Sequence, residues 1–193
     1  MRKSIIAILM TFCLSIMTYA QTPRDRATEL KEQAQSSLNQ KDYIKARYLF
    51  KKAYEAFAAR ENYPQAIECG VQANALYVRE NFYKEGFELC RDMDQLIWAG
   101  EQNQKKVFYD LRFLVNKERL QMYTALKNPA QAKTQLNKLE ETANLAKNDS
   151  LTEVLLYTKA NYYYTFNQNA QGDACFRKLI NQYKEKKDYT KVN

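Results

Sequence analysis

The sequence predicts an all-α fold assembled from stacked helical hairpins, and three observations carry that expectation. The 193-residue chain holds only four glycines and three prolines, too few for a β-rich fold whose tight turns need glycine at positive φ. Its apolar residues, 46% of the total, recur at three- and four-residue spacing, the period of a helix with one buried stripe. A small residue also returns after a turn-like break at Ala46, Gly86, Ala132 and Gly172, with separations of 40, 46 and 40 residues.

The first twenty residues stand apart from this pattern. Arg2 and Lys3 precede an uncharged apolar run, Ile5 to Met17, and Thr18-Tyr19-Ala20 then offers small residues for cleavage after Ala20. Residues 1–20 therefore read as a secretory signal peptide. The run of about 13 residues is shorter than the roughly 20 needed to span a bilayer. Cys13 is a poor lipidation site because a bulky Phe12 precedes it. The remaining chain, residues 21–193, keeps 28 basic against 22 acidic side chains, a net charge of +6 spread along its length. An exported protein with so diffuse an excess is not expected to bind nucleic acid.

The helices follow in order. Leu30, Ala34 and Leu38 mark a stripe over 24–39, which ends at Asn39-Gln40-Lys41. Tyr43, Ala46, Leu49, Phe50, Ala53, Tyr54 and Phe57 mark the next, over 42–60. So short a turn makes the two pack antiparallel. Asn62-Tyr63-Pro64 opens a third helix over 64–80, with proline in the first turn where its missing N–H costs nothing. Phe82-Tyr83 opens a fourth, over 83–98, and Trp98 is read as stapling the turn that follows. A fifth covers 103–126, and Asn128-Pro129 caps a sixth over 129–147. Ser150 and Glu153 form a capping box for a seventh over 150–166, and the eighth covers 170–186. Tyr77, Tyr123 and Tyr163 each stand nine residues before a small residue, at Gly86, Ala132 and Gly172. Tyr163 therefore takes the core slot within Tyr162-Tyr163-Tyr164.

The small residues Ala34, Ala46 and Ala53, the aromatic Phe50 and the Lys41-Asp42-Tyr43 turn resemble the tetratricopeptide repeat (TPR), in which small side chains let paired helices approach closely. The resemblance implies a right-handed TPR-like α-solenoid over 21–193, with about four helix-hairpin repeats and the start of a fifth at Lys187–Val192. The units are longer than the 34-residue TPR, and the early tryptophan and glycine of its first helix are mostly missing. The unfinished fifth repeat implies a chain that continues past Asn193 or pairs end to end. Overall, the repeats are similar to the extracytoplasmic sensor region of bacterial histidine-kinase-type signalling proteins. That likeness implies a periplasmic scaffold which binds a peptide or protein and feeds a two-component output through a downstream membrane span. A free-standing periplasmic assembly adaptor is the alternative.

In TPR arrays the first helix of each pair lines the concave face. Carried over, the contact slots fall on Lys31, Gln35 and Asn39, on Arg79, on Lys117 and Gln121, and on Tyr157, Asn161 and Tyr164. The second repeat interrupts the ladder with Val71, Ala75 and Val78, and the two-carboxylate clamp of chaperone-binding TPRs is not reproduced. Enzymatic chemistry is not expected. The chain has no histidine, which removes Ser-His-Asp catalysis and HExxH zinc sites. Its carboxylate pairs, Asp92/Asp94 and Glu140/Glu141, suit a solvated helix face. No cofactor and no metal are implied. After cleavage three cysteines remain, Cys69, Cys90 and Cys175, an odd number in an oxidising compartment. Cys69 and Cys90 lie on antiparallel neighbours, within conceivable reach of a disulfide, while the core slot held by Cys90 favours a buried thiol.

Overall fold

The computed structural model describes residues 25–185, and the expected signal peptide and the start of a fifth repeat lie outside them. Among the described residues there is no strand. Eight helices follow one another: α1 Arg26–Asn39, α2 Tyr43–Ala58, α3 Tyr63–Arg79, α4 Tyr83–Gln104, α5 Tyr109–Ala125, α6 Pro129–Ala146, α7 Asp149–Thr165 and α8 Asn169–Glu185. Each packs on its neighbours in sequence, and α3 also meets α5, as α5 meets α7. The odd-numbered helices thus share a row, each backed by its even-numbered partner. This is an all-α, solenoid-like repeat arrangement.

One turn design joins the hairpins. Lys41, Glu61, Asn81, Lys105, Lys127, Lys147 and Asn167 all take positive φ, between 49° and 63°. Around Lys41, the N–H of Asp42 donates to Ser37 O and that of Lys41 to Leu38 O, the paired bonds of a Schellman cap. The same pair recurs around Glu61, Asn81, Lys127 and Asn167. No glycine occupies any of these left-handed positions. The residue after the left-handed one frequently caps the next helix: Asp42, Asn62, Asn128 and Asn148 each accept a backbone N–H.

This turn explains the nine-residue offset. Four residues before the left-handed residue lies a buried or half-buried position near the end of one helix, and five after it lies another near the start of the next. Ser37 with Ala46, Tyr77 with Gly86, Tyr123 with Ala132 and Tyr163 with Gly172 occupy the two slots. Phe57 with Ala66 and Ala143 with Thr152 keep the same interval. Ala46, Ala66 and Ala132 are fully buried, so the small residues do permit close approach.

The fourth and fifth helices depart most from expectation. Trp98-Ala99-Gly100 does not end α4, which runs on to Gln104 before Lys105 turns left-handed. Gly100 is a packing residue rather than a terminator. A Cβ there would lie 2.9 Å from the Phe108 ring and 3.0 Å from the Tyr63 ring. Trp98 does not staple the turn, and its side chain is exposed. The expected capping box is also replaced: the α7 cap is Asn148, whose Oδ1 accepts from the Ser150 N–H at 3.0 Å. Within the tyrosine triplet it is Tyr162 that is buried, while Tyr163 is half-buried against the core edge.

The buried residues form two cores, and α5 belongs to both. Val115 and Met122 join the core built by α1 to α4. Phe113 and Leu120 join the one built with α6 and α7. A helix flanked on two sides shows no single apolar stripe, and α5 begins at Tyr109 rather than at the expected residue 103. α8 packs back on α7: Leu179 is buried, and Phe176 meets the Tyr157 ring at 6.0 Å and the Tyr164 ring at 5.9 Å.

Candidate functional site

Four of the nine expected contact residues converge. Lys117 and Gln121 on α5 and Tyr157 and Asn161 on α7 line one groove of about 410 Å³, floored by Leu120 and closed by Thr124, Lys127, Val154, Thr158 and Thr165. The groove exists because α5 and α7 bury their other faces. With Phe113, Leu120, Leu155 and Tyr162 turned into the second core, the intervening polar positions are left between the two helices.

Its polar groups differ in how far they are already engaged. Thr158 Oγ1 donates to Val154 O at 2.7 Å and Thr165 Oγ1 to Asn161 O at 2.8 Å, so both hydroxyls are bonded to their own helix. Lys117 Nζ lies 3.1 Å from Glu118 Oε1. Glu118 is almost completely buried, at 1% exposure, and Asn74 Nδ2 donates to its other oxygen at 3.1 Å. A buried carboxylate needs such partners, so Lys117 is half committed. The side-chain amides of Gln121 and Asn161 make no hydrogen bond among the described residues. Each can donate and accept at once, which suits the N–H and C=O groups of an extended chain. Tyr157 adds a ring that is 55% exposed.

The other five expected contacts lie elsewhere. Lys31 bridges from α1 to α3, 2.8 Å from both Gln65 Oε1 and Glu68 Oε2. Gln35 and Asn39 bond each other at 3.1 Å. The Arg79 guanidinium lies 4.0 Å from the centre of the Tyr43 ring. Tyr164 turns away from the groove and donates to Asp173 on α8. Thr124, Lys127 and Thr165 escaped the sequence reading, although Thr124 lies one turn beyond Gln121 and Thr165 one turn beyond Asn161. Lys127 is placed by its left-handed turn rather than by helical periodicity.

A second cavity, about 460 Å³, opens between α4, α5 and α6 and is lined by Trp98, Arg112, Asn116, Arg119, Lys138 and Leu145 among others. Its arginines serve the fold. Arg112 Nε donates to Glu101 Oε1 at 2.7 Å, and Arg119 donates to Cys90 O at 2.9 Å and to Asp94 at 2.5 Å. The cavity is larger than the groove but offers fewer unengaged groups.

Cys69, Cys90 and Cys175 are free thiols, all buried. Burial pushes Cys69 up to about 11 and Cys90 up to about 12, so both are neutral thiols in the fold at neutral pH. Cys69 and Cys90 stand as separate buried thiols that pack as small core residues. Among the described residues, no group of three or more Cys, Asp or Glu could hold a metal ion, and no helix is long and apolar enough to cross a membrane. Comparisons with protein-family models, with curated proteins and with solved structures return no match to the chain.

Proposed function

We propose that the chain is an exported TPR-like scaffold that holds an extended peptide or flexible protein segment in the groove between α5 and α7. The observation that carries this reading is the pair of unengaged amides, Gln121 and Asn161, offered from successive odd-numbered helices with the Tyr157 ring beside them. The paired-helix repeats, small residues at the turn slots and polar inner row support the TPR assignment. The sensory role, feeding a signalling output across a membrane, follows from the resemblance of the repeats.

The test is selection from a random peptide library on immobilised protein, followed by titration of the enriched peptides. Gln121→Ala with Asn161→Ala is expected to weaken binding at least tenfold, since each unmade polar contact costs about 1 kcal/mol. Peptides that bind the double variant as tightly as the parent would remove the groove from the proposal. Export is tested separately, by fusing a reporter that is active only outside the cytoplasm.

A further inference from the structure

α2 is the most basic of the eight helices. Residues 25–185 carry 24 basic and 21 acidic side chains, a net of +3, and α2 alone carries four against one, the same +3. The cations are Lys45, Arg47, Lys51 and Lys52, with Glu55 the only acid. The inner face of α2 is spent on the core through Ala46, Leu49, Phe50, Ala53, Tyr54 and Phe57. The charges therefore crowd its outer face.

That outer face is also apolar. Ile44 is 69% exposed and Tyr48 60%, one helical turn apart, so the two side chains stand together. Phe82, also exposed, extends the patch from the turn between α3 and α4. Arg47 ties the two parts together, its guanidinium 4.9 Å from the Tyr77 ring centre and 5.0 Å from that of Phe82, and paired with Glu80.

The local acids are occupied. Glu80 pairs with Arg47, Glu55 pairs with Lys52 at 2.7 Å, and Asp42 caps the helix. Lys45 and Lys51 have no ion pair among the described residues. An apolar pair that projects from a helix face and is ringed by unpaired lysines is the pattern of an interfacial helix. Its apolar tips enter the headgroup boundary while its lysines meet anionic lipid. Lysine supplies a mobile point charge suited to headgroups that move, not a fixed fork suited to one carboxylate.

We propose that the outer face of α2, centred on Ile44, Tyr48, Lys45 and Lys51, docks the protein on an anionic membrane surface. This surface shares no residue with the α5–α7 groove.

The test is sedimentation with vesicles of phosphatidylcholine alone or with about 30% phosphatidylglycerol, at low and at physiological salt. Both the full chain and a chain starting at Gln21 are measured, because the run Ile5–Met17 would itself enter a bilayer. The readout is the difference between parent and variant within each form. The parent is expected to bind the anionic vesicles at least tenfold more tightly than the neutral ones, less so as salt rises. Lys45→Glu with Lys51→Glu is expected to lose at least tenfold, about fivefold for each lysine charge removed. Ile44→Ser with Tyr48→Ser should lose severalfold on the anionic vesicles. All four side chains are exposed, so the variants should keep the parent's helical circular dichroism and melting temperature. Equal binding of parent and variants would overturn the proposal. So would binding of polyglutamate but not of the anionic vesicles, which would make the face a site for an acidic protein.

Discussion

Gly100 decides a packing contact that no larger residue could make. Alanine there would gain roughly 1 kcal/mol in helix propensity but would push its Cβ against the Phe108 and Tyr63 rings. These are rigid side chains, and overpacking costs about 1–3 kcal/mol. Gly100→Ala should therefore lower the midpoint of urea unfolding, contrary to what an exposed helical glycine would do. The neighbouring Glu101 is buried and receives the Arg112 guanidinium and the Phe108 N–H. The Arg112 hydrogen bond holds its carboxyl below the ordinary value of 4.5, burial opposing. A carboxyl depressed in the folded state stabilises the protein above its unfolded value, and that contribution disappears as pH falls through the lower folded value. Unfolding midpoints of the parent should thus drop below pH 4.5, and those of Glu101→Gln should drop less over the same window. Deeper still, Asn74 is fully buried and donates to Glu118. Its alanine variant should cost about 1–3 kcal/mol, because Glu118 loses a partner it cannot replace with water.

At the scale of the element, the turns are the informative parts. Left-handed residues other than glycine carry a cost of roughly 1 kcal/mol or more, and lysine has no side-chain compensation of the kind asparagine can form. Lys41→Gly, Lys105→Gly and Lys127→Gly should each raise stability by up to about 1 kcal/mol, measured by chemical denaturation. The eight helices and most of their ends could be read from the sequence because most turns repeat one interval between inward-facing slots and four of them carry an Asp or Asn cap. The end of α4 could not, since a glycine near a tryptophan imitates a terminator, and only the rings of Tyr63 and Phe108 give it another role. The cap of α7 was misplaced for a similar reason. Asn148, Asp149 and Ser150 are all good caps, and local propensity does not choose among them. The groove was half legible. Lys117 with Gln121 and Tyr157 with Asn161 follow helical spacing, whereas the engagement of Lys31 depends on Gln65 and Glu68, more than thirty positions away.

For the whole molecule, burial falls toward the C-terminal hairpin. α2 and α3 bury Ala46, Ala53, Ala66, Ile67 and Ala73 completely, while α8 buries only Gly172, Cys175 and Leu179, the last two retaining 8% exposure. Repeat arrays open where an interface is thinnest. Amide hydrogen exchange should therefore find the least protection in α7 and α8, and a peptide seated between α5 and α7 should raise it there most.

The double allegiance of α5 gives that occupancy a wider reach. Because one rod closes both cores, a guest wedged against its groove side would also load Val115 and Met122 on the other. A guest at one junction would then stiffen the array well upstream of where it rests, and attachment would be reported as rigidity.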